Sequence, residues 1–156
     1  EAAPIYEDSR SHDPHLEIDP DDSKTQSIDN PLHYHQYAHA RVASVLRHLG
    51  EKSLTWDEAN GRPQLGLLGE PQEKALMTSM SRYPEVLELA ANNRAPQHLV
   101  HYLRDLANDF HTYYNAHAFI VDDAGLRDAR LYLVSAARVV IANGLGILGV
   151  SAPEKM

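Results

Sequence analysis

PLHYHQYAHARVASVLRHLG, residues 31–50, reads as one helix with one apolar stripe. Tyr34, Ala38, Val42, Val45 and Leu49 recur at steps of four, four, three and four, the spacing that returns side chains to one helical face. Asp29 and Asn30 put capping side chains just ahead of Pro31, whose missing N–H costs nothing at the first helical position. Gly50 stands where a helix-ending glycine is expected. A 3.6-residue period of this length, with no strand-like alternation elsewhere in the chain, points to an all-α fold.

The rest of the chain repeats the pattern. Pro71–Tyr83 and Pro84–Ala91 read as two shorter helices, each opened by a proline. Pro96 opens a longer one that carries Leu99, Leu103, Leu106, Phe110 and Tyr113 at steps of four, three, four and three. Val121-Asp122-Asp123 interrupts the period and supplies the next cap. Leu126, Leu133, Ala137, Val140 and Gly144 then share a face of the last helix, and Pro153 stops any continuation through the tail. Between Ser53 and Gly69, three glycines and a proline predict a loop. The expectation is an antiparallel bundle of about five helices.

At 156 residues the chain suits one helical domain, 29–156, preceded by an acidic leader over 1–28. The formal net charge of −8 is unevenly spread: residues 1–30 hold nine acids against Arg10 and Lys24, net −7. The other 126 residues carry 13 acids and 12 bases, net −1. A near-neutral body argues against binding that rests on phosphate neutralisation alone, and against DNA as a partner. It still allows aromatics and a few arginines to recognise unstacked bases in single-stranded RNA. Cysteine is absent, which excludes disulfides and thiolate metal sites. No uncharged apolar run reaches the roughly 18 residues of a membrane span, and Glu1–Arg10 has no signal-peptide core, so a soluble domain is expected.

Several residues could carry chemistry. Tyr34 and Ala38 lie one turn apart, so a base could rest on the ring while the small residue admits its edge; the same stripe also reads as core burial. Tyr37 and Arg41 form a second one-turn pair on an adjoining face. Tyr113 is in the apolar phase, whereas Tyr114 is turned about 100° from it and is the better stacking platform. Arg127, Arg130 and Arg138 could meet phosphates or pair with Asp122, Asp123 and Asp128. His35 and His39 are spaced to share a metal, but no third ligand is placed by the sequence, so no metal is expected. GxSxG, GxxxxGK[ST] and dinucleotide fingerprints are all missing.

Gln36–Arg41 (QYAHAR) and the pattern LRxARLxLVxAxRxVxANGLxxLGVxAPExM over Leu126–Met156 resemble the C-terminal DALR-type anticodon-binding domain of arginyl-tRNA synthetases. The likeness runs from about Pro14 to the end, roughly nine-tenths of the chain. It implies a helical domain that holds the anticodon stem-loop of arginine tRNA for a catalytic domain using ATP and magnesium, in the cytoplasm. No cofactor and no catalytic residue is expected in this chain, which lacks the HIGH-like and KMSKS-like signatures and would be inactive alone. The resemblance implies RNA-contacting roles for Tyr34, Ala38, Arg41, Tyr114, Arg127 and Met156, and a structural hydrogen bond for His39. Departures occur at His33 and His35, and at Ile18, Pro20 and Asp22 of the leader. The acidic leader and the polar residues at His33 and His35 make a second expectation, a helical scaffold that keeps the fold without RNA binding.

Overall fold

The computed structural model describes residues 31–156. Helix α1 spans Pro31–Glu51, α2 is the single turn Glu58–Gly61, and a 3-10 segment follows over Arg62–Leu67. Helices α3 (Pro71–Ser81), α4 (Tyr83–Asn93), α5 (Gln97–Ala116) and α6 (Ala124–Ile147) complete the fold. There is no strand among the described residues, and the five longer helices are those the periodicity predicts. The leader 1–28, the Asp29-Asn30 cap and the domain boundary at residue 29 lie outside the described residues.

The core lies where the stripes converge. Ala38, Val42 and Leu49 of α1, Leu76 of α3, Leu103, Leu106 and Phe110 of α5, and Leu131, Val134, Ala137 and Ile141 of α6 are all buried. Burial of apolar surface at about 25 cal/mol per Å² is what holds the bundle together, and α3 and α4, at 11 residues each, would be marginal in water on their own. Tyr113 meets Glu73 and Tyr102 meets Ser79, so α3 runs against α5. Gly144 of α6 lies against Leu103 of α5, with Arg130 near the far end of that pair, so these two also run antiparallel. Helix α1 differs. Tyr34 meets Asn108 and Arg41 meets Tyr114, so α1 lies along α5 in the same sense. The two are not joined directly, since α3 and α4 lie between them in the chain, and only short direct connections force neighbours to be antiparallel.

The stretch from Ser53 to Gly69 is more ordered than its composition predicts. Asp57 caps α2 by accepting from the Ala59 N–H at 2.6 Å, and Gly61 then packs directly on α6. A Cβ at Gly61 would sit 2.6 Å from the Asp128 carbonyl oxygen, so glycine here serves close approach rather than flexibility.

The end of α1 also departs from the expected Gly50. Gly50 is still helical, and Ser53 takes the left-handed position (φ 56) that closes α1, with Leu54 N–H donating to Leu49 O at 3.1 Å. Arg94 (φ 50) closes α4 in the same way, through Ala95 N–H to Ala90 O at 2.9 Å. Gly149 (φ 72) closes α6 in the left-handed conformation, with Val150 N–H on Leu145 O at 2.9 Å. Asp123 caps α6 as predicted, accepting from Leu126 N–H at 2.7 Å. Helix α6 is long and apolar enough by length and composition to cross a membrane, but its apolar side faces the core and it carries Arg127, Asp128, Arg130 and Arg138.

Candidate nucleic-acid interface

The reversal at Gly149 sends the tail back along α1, where polar side chains hold it. Gln36 Nε2 donates to Ser151 O at 3.0 Å, and Arg47 donates to Glu154 O at 3.0 Å. Arg138 of α6 pairs with the Glu154 carboxylate. His39 links both elements: Arg138 Nε donates to its Nε2 at 3.1 Å, so Nδ1 carries the proton and donates to Pro153 O at 2.8 Å. Both ring nitrogens are therefore engaged by protein groups, which opposes the metal arrangement considered for His35 and His39 and agrees with the structural hydrogen bond expected of His39. No cluster of three potential ligands occurs among the described residues.

The docked tail makes one wall of a cleft of ≈390 Å³ whose other walls come from α1 and α5. Tyr37, Arg41, Arg47, Tyr114, Lys155 and Met156 line it. Three expected contact residues, Arg41, Tyr114 and Met156, thus come together although they are far apart in sequence. Met156 is 54 % exposed and closes the rim. Arg41, Arg47 and Lys155 outnumber the one acidic side chain there, Glu154, whose carboxylate is already engaged by Arg138. A near-neutral domain therefore concentrates positive charge beside two aromatic rings.

Arg41 organises the cleft. Its guanidinium carbon lies 4.4 Å from the Tyr37 ring centroid and 4.5 Å from that of Tyr114, within cation–π range of both. Its Nη1 donates to His111 Nδ1 at 3.2 Å. The other ring nitrogen, Nε2–H, points to the Tyr34 carbonyl at 3.5 Å. His111 is buried, and burial pushes its pKa down to about 4; the Tyr34 carbonyl opposes this shift and the Arg41 charge adds to it. The imidazole is accordingly neutral at pH 7 and can accept from an arginine. Tyr114 is held from behind by Phe119 at 5.7 Å and Phe110 at 6.0 Å, so its ring is a fixed surface. A second cleft of ≈310 Å³, lined by His48, His117, Phe119 and Ile120, shares Tyr114 and Ser44 with the first.

Other expected contact residues lie elsewhere. Ala38 is fully buried (0 % exposed), so its methyl belongs to the core, the packing alternative of the stripe. Tyr34 is half-buried: its hydroxyl donates to Asn108 Oδ1 at 3.3 Å and its ring lies 4.8 Å from His111. It supports the cleft from below rather than lining it. Arg127 binds its own loop, donating to Val121 O at 3.0 Å and Asp122 O at 3.4 Å, so backbone carbonyls rather than a neighbouring carboxylate engage it. Arg130 pairs not with a neighbouring aspartate but with Glu73 at 2.9 Å, inside the bundle. Burial pushes the Glu73 carboxyl up, yet hydrogen bonds from Glu70 N–H, Tyr113 and Arg130 outweigh it and hold the group below its usual range. Arg130 also donates to Ala118 O at 2.8 Å, fixing the loop that carries Phe119 behind Tyr114. Arg47 and Lys155 carry no periodic signal in the sequence and were not expected at the site.

Residues 35–156 match the family described as the DALR anticodon binding domain. The chain is 53 % identical over its whole length to an arginine–tRNA ligase of Thioalkalivibrio sulfidiphilus, of which it covers 27 %. It is 49 % identical to an arginine–tRNA ligase of Coxiella burnetii, covering all of this chain and 26 % of that protein. Among solved structures, the arginyl-tRNA synthetase of Thermus thermophilus superposes with a TM-score of 0.82 at 31 % identity, over 99 % of this chain and 26 % of that one. The chain therefore spans about a quarter of the length of the curated relatives it matches. With the bundle, the docked tail and these matches together, the chain belongs to the DALR anticodon-binding domain family, in which the relatives it resembles are arginine–tRNA ligases.

Proposed function

We propose that this domain holds the anticodon loop of arginine tRNA in the cleft between α1, α5 and the tail, on behalf of a catalytic domain that attaches arginine to that tRNA. ATP and magnesium act in that catalytic domain, and the setting is the cytoplasm. The observation that carries the reading is the convergence of Arg41 and Tyr114 with Tyr37, Arg47, Lys155 and Met156 at one cleft. Unstacked bases bind to aromatic and guanidinium surfaces, and the cations around them attract the loop's phosphates. Tyr114 and Ser44 lie between two clefts, room for more than one extruded base.

The scaffold alternative has no observation in its favour. One of its motives was polar replacement at His35, but that side chain is buried at 1 % exposure and is no part of the surface.

The reading is tested by titrating the chain with an arginine-tRNA anticodon stem-loop and with one changed at the central anticodon base. Discrimination of tenfold or more, about 1.4 kcal/mol, is expected. Arg41→Ala and Tyr114→Ala should each weaken binding, with a stacking contact worth about 1–3 kcal/mol per base. Equal affinity for both loops, or full affinity in either variant, would overturn the assignment of the cleft.

A further inference from the structure

We infer that His111 is a positioning residue for the cleft: its Nδ1 lone pair holds the Arg41 guanidinium over the Tyr37 and Tyr114 rings, so that single-stranded RNA meets a preset donor. The inference rests on the proposed reading of the cleft as an RNA site.

Four observations bear on it. His111 is buried at 7 % exposure and lies beneath the cleft, not in its lining, so it acts through Arg41 and not on the ligand. Its Nδ1 accepts from Arg41 at 3.2 Å, while Nε2–H faces the Tyr34 carbonyl at 3.5 Å, an arrangement that selects one tautomer. The imidazole itself is wedged among three rings, with centroids 4.8 Å from Tyr34, 5.6 Å from Tyr37 and 5.5 Å from Phe110. Finally, the burial of the ring and, less strongly, the neighbouring Arg41 charge disfavour imidazolium, so the acceptor lone pair persists at neutral pH.

An arginine side chain free in solvent must be ordered when it binds. Holding it in advance removes that cost, which for a rotamer-rich side chain corresponds to a factor of roughly 2 to 12 in affinity. His111 thus links the core of the bundle to the chemistry of its rim. The aromatic faces supply attraction for the guanidinium plane, and the histidine supplies the direction.

The test uses the full chain and an arginine-tRNA anticodon stem-loop, with affinity read by fluorescence anisotropy and folding by circular dichroism. His111→Leu keeps bulk and removes the acceptor, and should weaken binding by about 2- to 12-fold. His111→Asn places an amide oxygen near the lost Nδ1 and should recover most of that loss. The Arg41→Ala/His111→Leu double variant should bind no more weakly than Arg41→Ala alone. A loss below twofold in His111→Leu, while Arg41→Ala is clearly weakened, overturns the role of His111 and leaves the cleft standing. Full affinity in Arg41→Ala overturns the underlying reading instead. Should His111→Leu not fold, ¹⁵N shifts of the histidine rings in the unsubstituted chain decide: an Nε2–H tautomer supports the role, and Nδ1–H overturns it.

Discussion

Replacing Glu73 by alanine removes a carboxylate that is 0 % exposed and is used on both oxygens. Its Oε1 accepts from Tyr113 and from Arg130 Nε, each at 2.9 Å, and its Oε2 accepts from Glu70 N–H at 2.9 Å. The substitution leaves the Arg130 guanidinium, only 9 % exposed, without its counter-charge. Breaking a buried pair from one side costs about 3–5 kcal/mol, most of it the penalty of the stranded charge. The lost capping box and the orphaned tyrosine hydroxyl overlap with that figure rather than add to it. Since domains have about 5–15 kcal/mol in total, the variant should be severely weakened. At about 2–4 °C per kcal/mol for a chain of this size, the melting temperature should fall by roughly 6–20 °C.

Urea denaturation followed by circular dichroism measures the change, and the Glu73→Leu/Arg130→Met pair is the control. Replacing both charges with apolar groups should recover most of the loss, because the stranded charge is gone. The pH dependence gives an independent check. The folded carboxyl titrates below its unfolded value, so its stabilisation is fully present above that unfolded value, near pH 4.3. It is lost as pH falls through the lowered folded value, and Glu73→Gln should flatten the stability curve in that window. A loss under about 1 kcal/mol in Glu73→Ala, the net value of an ordinary hydrogen bond, would refute the claim that this carboxylate neutralises a buried arginine.

Two glycines should respond in opposite directions. Gly61→Ala puts a Cβ 2.6 Å from Asp128 O and 2.8 Å from Tyr132 Cβ, so it should destabilise by about 1–3 kcal/mol, whereas Gly50→Ala in open helical space should stabilise by about 0.5–1 kcal/mol. Thermal melts of both variants check the contrast. Removing the tail's polar anchors with Gln36→Ala and Arg138→Ala should speed amide exchange at Ser151 and Lys155 and weaken stem-loop binding, while core amides such as Ile141 stay protected. Hydrogen exchange resolves the two regions, and unchanged tail exchange would show that the anchors do not hold it.

What the sequence by itself determines here is local. The stripe from Tyr34 to Leu49, the prolines that open α3 and α5, and the Asp123 cap all lie within a few residues of what they specify, so periodicity and capping chemistry reveal them. The QYAHAR string and the long terminal pattern carry the family for the same reason: they are contiguous. Even locally there were limits. Ser53 and Arg94, both exposed, occupy the left-handed positions that close α1 and α4, although such positions usually favour glycine. The turn Glu58–Gly61 was hidden in a glycine-rich stretch because its reason for being there is the surface of α6.

The candidate site belongs to the tertiary structure. Arg41 and His111 are 70 residues apart, Gln36 and Ser151 are 115 apart, and Glu73 and Arg130 are 57 apart. No period connects such positions. Which residues of a polar helical face meet a ligand depends on which neighbours cover the rest. Ala38 and Arg41 sit less than one turn apart on α1, yet one is sealed in the core and the other lies over two aromatic rings at the rim. That difference is decided by where α5 crosses α1 and where Gly149 turns the tail, because burial is a property of the assembled surface and not of the residue.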